Sequence, residues 1–273
     1  MNMRYLGIVA AVAVCLAVAG TAGATGYTVG DGFETAWTGD YASGWVNVVY
    51  RHGTASSPSM TQYSTVTANG HTITPASGSY FMGLKVTAAG DPVASTNWWG
   101  AVVPTFVAGD ALARQYSPWV SVSFYDYGVA LPSPQLAVVP DSGDPADWTD
   151  IQFGQRWNRT DHYWFAECMN SPSAWIETSV ARSVGWHELK LAQNTAGYVT
   201  YYIDGTALGT TTNAYLDLGS PDLMTQFADG EFGASEVYFD NFQAGSTVPE
   251  PVTMAGLMLG IGCLARYVRN RKR

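Results

Sequence analysis

The chain has 273 residues, of which 47% are hydrophobic, 13% aromatic and 13% charged. That apolar share can build a core, which excludes wholesale disorder, and so few charges exclude a coiled coil. Net charge is −9, but between Thr25 and Val248 seven basic residues face twenty-one acidic ones, which excludes a basic stripe for a nucleic-acid backbone.

Residues 1–24 read as an export signal. Arg4 supplies the cation, Leu6 to Ala19 the apolar run, and Ala22-Gly23-Ala24 the small-residue site, with Ala22 and Ala24 at the two positions read before cleavage at Thr25. An uncleaved N-terminal anchor is the alternative. Residues 25–246 hold one expected domain, without a linker long enough to divide it and without a repeat of fixed period.

Short runs with a two-residue period, bounded by turn residues, predict strands over 44–50, 80–86, 100–106, 119–127 and 135–139. Further strands are predicted over 151–157, 162–168, 174–178, 186–191, 198–203 and 236–243. Two of these alternate on either side of Asn194-Thr195-Ala196-Gly197 and predict a hairpin, and Asp204-Gly205 predicts the next tight turn. Alternation predicts that one set among Trp186, Leu189, Leu191, Val199, Tyr201, Ile203, Tyr238 and Phe242 is core. No dozen-residue window between the ends has a 3.6-residue period, so the expected class is all-β.

The last segment, 247–273, opens with Pro249-Glu250-Pro251 and continues through the apolar run Val252 to Ala265. As a helix this run spans roughly 21 Å at about 1.5 Å per residue, short against a ~30 Å hydrocarbon core. Arg266, Arg269, Arg271, Lys272 and Arg273 follow, and the positive-inside rule keeps them cytoplasmic with the domain outside.

A Pro-Glu-Pro tripeptide, a short apolar helix and an Arg-rich end, in that order, resemble the PEP-CTERM sorting signal of Gram-negative bacteria. The resemblance implies Sec export, recognition by a membrane exosortase, cleavage near Pro249-Glu250-Pro251, and delivery to the outer surface or exopolysaccharide matrix. A plain single-span tail anchor is the alternative. The Trp186–Leu191 and Tyr198–Gly205 hairpin followed by Phe239-Asp240-Asn241-Phe242 resembles concanavalin-like and carbohydrate-module jelly rolls, in which first and last strands often pair. The expected fold is thus a jelly-roll β-sandwich between a signal-peptide helix and a short C-terminal transmembrane helix.

Catalytic patterns are missing from the sequence. There is no Glu-x-Asp-x-x-Glu carboxylate spacing, no zinc spacing among His52, His71, His162 and His187, and no Gly-x-Ser-x-Gly elbow. Cys168 alone falls between the terminal segments, so no internal disulfide is expected and a buried thiol is the ordinary reading. Asp141, Asp144, Asp147 and Asp150 crowd one loop, where Ca²⁺ is the ion such oxygens suit, although a solvated acidic loop is the plainer reading. Asp31 with Asp240 is a second candidate ion site, because the jelly-roll resemblance implies that their strands pair.

Trp98, Trp99, Trp148, Trp164 and Trp175 are the candidates for stacking on sugar rings, with core packing as the alternative. The acidic domain favours a neutral glycan unless Ca²⁺ bridges an anionic one. The expected function is an exported, surface-sorted, non-catalytic sandwich that binds exopolysaccharide or another glycan. A secreted polysaccharide hydrolase or lyase of lectin-like fold, and a structural matrix or adhesion protein, are the alternatives.

Overall fold

The computed structural model describes residues 28–35, 37, 45–48, 59–87, 98–104, 117–128, 133–139, 149–156, 159–169, 174–227 and 234–246, in which alternating apolar and polar runs form strands cut by turns rich in Gly, Pro, Asn and Asp. In chain order these are β1 (Thr28–Asp31), β2 (Trp45–Val48), β3 (Ser59–Tyr63), β4 (Val66–Ala68), β5 (His71–Ile73), β6 (Phe81–Thr87), β7 (Trp98–Pro104), β8 (Pro118–Asp126) and β9 (Ser133–Val139). They continue as β10 (Thr149–Gly154), β11 (His162–Met169), β12 (Ala174–Ala181), β13 (Gly185–Gln193), β14 (Val199–Ile203), β15 (Thr206–Thr210), β16 (Ser220–Phe227) and β17 (Ala234–Ser246).

One sheet has eight strands in the order β15-β14-β13-β8-β17-β6-β3, with β1 paired to β17; the other has seven, β12-β11-β10-β9-β16-β7-β2. The first and last strands pair antiparallel, with Thr28 opposite Gly245 and Asp31 opposite Phe242. The two sheets face each other across one core. Phe165 stacks on Tyr201 at 4.3 Å, and Phe153 and Tyr163 meet Tyr201 and Phe124 edge-on at 5.7 and 5.8 Å. Aligned sheets with a core between their inner faces make a β-sandwich.

The expected hairpin forms as β13–β14, with Leu189 opposite Ile203 and Gln193 opposite Val199. Asp204 (φ 47°) and Gly205 (φ 75°) turn β14 into β15, the left-handed pair that a two-residue hairpin loop requires. Leu189, Leu191, Val199, Tyr201, Ile203 and Phe242 belong to the inter-sheet core, whereas Trp186 and Tyr238 face the other way. Tyr238 and Phe242 take opposite faces despite even spacing because Asn241 (φ 50°) forms a bulge that shifts the register between Asp240 and Gln243.

Outside the eight-stranded sheet a second cluster gathers Ile73, Phe81, Tyr125, Tyr127 and Tyr238, packed by Tyr63, Val66, Ala68 and Trp186. The β4–β5 hairpin supplies Val66, Ala68 and Ile73, and the Trp186 indole N–H donates to the Thr74 carbonyl at 2.7 Å. This hairpin covers that part of the sheet's outer face. The export-signal residues Ala22 and Ala24, the sorting residues Pro249, Glu250, Pro251, Arg266, Arg269 and Arg271, and Asp141, Asp144, Asp147 and Trp148 lie outside the described residues. Among the described residues no helix is long and apolar enough to cross a membrane.

Candidate functional site

In the seven-stranded sheet Leu136, Val138, Ile151, Phe153, Tyr163, Phe165 and Leu223 enter the core, so the residues between them occupy the outer face. The strand register aligns Ala166, Gln152, Ala137 and Asp222 in one row, and Trp164, Gly154, Gln135 and Met224 in the next. An outer face ordinarily meets solvent. Here Gln135 is 0% exposed, Asp222 2%, Trp164 7% and Gln152 8%. Two amides, a carboxylate and an indole are therefore buried on this face among Ala166, Ala137, Gly154 and Met224.

The site is densest where β10 ends. Gly154 has φ 145°, and a Cβ there would meet the Pro134 carbonyl oxygen at 2.5 Å. The chain then holds close to β9: Gln155 N–H donates to Pro134 O at 3.1 Å, and the Gln135 side-chain amide donates to Gln155 O at 2.8 Å. The Gln155 side chain is fully buried, and neither end of its amide has a hydrogen-bond partner. Nε of Arg156 and Nε1 of Trp164 are likewise buried and unpartnered.

Two guanidiniums crowd the Trp164 ring, Arg156 at 5.1 Å and Arg159 at 5.5 Å, and Arg156 also lies 5.9 Å from the Trp175 ring. Burial, and next the neighbouring Arg159 charge, hold Arg156 below the ordinary guanidinium value. A buried clamp positions this corner. Arg182 grips Asp126 through Nε (2.9 Å) and Nη2 (2.7 Å), while Tyr163 Oη and Gly128 N–H donate to the same carboxylate at 3.0 and 2.6 Å. Its remaining arm donates to the Arg159 carbonyl at 2.6 Å, and its backbone N–H to Asp161 O at 2.9 Å. One side chain thus ties the core of both sheets to the turn carrying Arg159.

Of the expected stacking residues, the structure brings Trp164 and Trp175 together through Arg156. Trp164 is buried beneath the guanidiniums; Trp175 is part-exposed. Trp98 and Trp99 lie on β7 opposite Phe227 and Gln226. Asp150 is on β10, not in a loop, opposite Cys168.

Asp31 and Asp240 are taken up separately by protein donors. Asp31 accepts Phe33 N–H (2.7 Å) and Trp45 Nε1–H (2.8 Å), and Asp240 accepts N–H groups of Ala76, Ser77 and Asn241 at 2.9, 3.1 and 2.7 Å. Among the described residues one group of three ligand-type side chains could share an ion, Asp161, His162 and Glu177, with donor atoms within 4.8 Å of one another. All three are solvent-accessible, and Glu177 Oε1 sits 2.7 Å from His162 Nδ1.

Ser183, His187 and Asp204 form a chain that the sequence spacing conceals. Ser183 Oγ is 3.1 Å from His187 Nε2, and His187 Nδ1 is 2.7 Å from Asp204 Oδ2. The Nε2 atom lies nearer still, 2.8 Å, to the Ser183 carbonyl oxygen. A carbonyl only accepts, so Nε2 is a donor there and has no lone pair to activate the hydroxyl. In this arrangement the ring joins two turns.

Sequence reasoning missed Gln155, Arg156 and Arg159. The available signal was that two of the domain's seven basic residues stand three apart, between the aromatic Phe153 and Trp164.

No family model matches the chain, and no curated protein matches its sequence. Among solved structures it is similar to a GlcNAcα1-4Gal releasing endo-β-galactosidase from Clostridium perfringens, with 12% identity and a TM-score of 0.51 over 84% of this chain and 63% of that one. It is also similar to the cellulose induced protein Cip1, with 14% identity and a TM-score of 0.51 over 80% of this chain and 97% of that one. At these identities the likeness shows the fold alone, a two-sheet β-sandwich.

Proposed function

We propose that the protein is an exported, surface-sorted glycan-binding domain whose binding surface is the outer face of the seven-stranded sheet, centred on β10–β12. The observation that carries this reading is the set of buried polar atoms without protein partners, Gln155 Nε2 and Oε1, Arg156 Nε and Trp164 Nε1. Buried donors and acceptors left unpaired cost about 1–3 kcal/mol each, and a ligand rich in hydroxyls supplies both kinds of partner. Trp175 adds a part-exposed ring on the same face. The opposite outer face is less suited, because the β4–β5 hairpin already packs on it.

Hydrolysis is the second reading, and Asp222 favours it as a buried carboxylate in the middle of this face. A two-carboxylate mechanism places its acids about 5–9.5 Å apart. Asp150 stands two strands and one side-chain repeat from Asp222, about 12 Å between backbone positions at ordinary sheet spacing. Binding without cleavage is therefore the reading we adopt.

Affinity electrophoresis of the purified chain through gels containing polysaccharides tests the function. Retardation that Trp175→Ala reduces roughly five- to thirtyfold supports binding on this face. Retardation by no polymer contradicts it, and shortening of the polymer during the run favours the hydrolase. Export and sorting rest on the two terminal segments. Deleting 252–273 should move the protein from the envelope fraction to the soluble exported one, and unchanged fractionation refutes the sorting signal.

A further inference from the structure

We propose that Arg156 and Arg159 together receive the carboxylate of an acidic sugar, so that the glycan held on β10–β12 is a polyuronate. The proposal rests on the glycan-binding reading above and names its substrate class. Both guanidiniums lie within 6 Å of one ring, that of Trp164. Among the described residues neither has a carboxylate within ion-pair distance. The basic residue beside them, Arg182, is fully paired with Asp126, and the nearby acids Asp161 and Glu177 both face His162. In a domain with three acidic residues for every basic one, two adjacent cations without a counter-ion among the described residues are the reverse of what charge balance alone would produce.

Like charges so placed repel, and the part-buried Arg156 has lost some of the water that would screen its charge. A carboxylate relieves both costs, since a planar guanidinium offers it two parallel N–H donors, and a second guanidinium can engage its other lone pairs. A neutral sugar would leave both cations uncompensated. The domain's overall negative charge does not decide the matter. Screening reduces exposed charges beyond about 8 Å at physiological ionic strength, so a ligand at Trp164 meets the arginine pair before the distant carboxylates. Gln155, buried beside Arg156 with its amide unpartnered, and the Trp164 indole N–H offer neutral contacts for the hydroxyls of the same sugar. Together they separate a uronate from a simple anion.

Calorimetric titration of the purified full-length chain in a non-ionic detergent tests this. The probes are short oligomers of galacturonic, glucuronic, mannuronic and guluronic acid, each compared with its carboxyl-reduced counterpart, and polyglutamate as a non-sugar polyanion. At least one uronate should bind about tenfold or more tighter than its reduced form. Arg156→Gln and Arg159→Gln should each weaken that binding by about 10- to 100-fold and weaken the reduced sugar's binding clearly less, so that the preference for the acidic form collapses while the melting midpoint stays nearly unchanged. Trp175→Ala should weaken both. Equal binding of acidic and reduced sugars, or indifference to both arginine variants, overturns the proposal and leaves the glycan reading standing. Equal binding of polyglutamate also overturns it, and binding of no sugar overturns both.

Discussion

Replacing Arg182 by Met removes a side chain that joins the inter-sheet core to the turn carrying Arg159. The Arg182 and Asp126 side chains are both fully buried, and the variant leaves Asp126 in the interior with only Tyr163 Oη and Gly128 N–H as donors. Removing one partner of such a pair costs about 3–5 kcal/mol, because the remaining charge is stranded away from water. That is a large share of a domain's typical 5–15 kcal/mol. For a domain of this size the melting midpoint should fall by about 6–20 °C, and the guanidinium midpoint should fall with little change in slope. Asp126→Asn in the same chain keeps an acceptor for Tyr163 and Gly128 while removing the stranded charge, so the double variant should cost clearly less than the two single costs added. The Arg182 variant should also bind glycan less tightly, since the Arg159 carbonyl loses its 2.6 Å anchor. A loss below about 1 kcal/mol, or additive single costs, would refute the clamp.

Two carboxylates should give acid-side stability opposite slopes. Glu167 loses some water to burial, but Thr212, Asn213 and Tyr215 donate to it and hold it below the usual carboxylate range. Its contribution is present above the unfolded value and fades as pH falls through the folded one, so Glu167→Gln should cost about 1–2 kcal/mol at pH 7 and less near pH 3 by denaturant titration. Asp240 is pushed up to about 6, chiefly by burial and against the Ser77, Asn241 and Ala76 N–H groups. The folded state then holds that proton more tightly than the unfolded one, so stability should fall by at most about 3 kcal/mol between pH 4 and pH 6 and stay level above. Asp240→Asn should flatten this window specifically; an unchanged slope would show that another group titrates there.

The β13–β14 hairpin and its Asp204–Gly205 turn were legible because local signals agree there. Alternation, turn residues and β-propensity all point to the same register. Strand β16 was not legible. Pro221 and Asp222 interrupt its apolar pattern, yet it sits between β9 and β7 in the middle of its sheet. Its buried outer face carries Met224 beside Asp222 and its core side Thr225 beside Leu223, so the usual apolar-in, polar-out contrast is weakened. Trp186 shows the limit of alternation, which separates two faces without saying which is the core; the β4–β5 hairpin gives its outward face a core of its own. The candidate site was legible only in part. Trp164 and Trp175 could be named from composition, but Arg156 reaches them only because β10, β11 and β12 lie side by side. Net charge also pointed away from an acidic ligand. A sum over the domain carries no information about two arginines placed against one indole.

Hydroxyl-radical footprinting of the purified chain, with and without a saturating polyuronate, tests the central claim most directly, because it reports which face the ligand covers. Trp175 and its neighbours on β12 should be protected, while Trp186 and Tyr63 on the opposite outer face should react at the same rate in both samples. Protection at Trp186 and Tyr63 with none at Trp175 would contradict the assignment of the binding face.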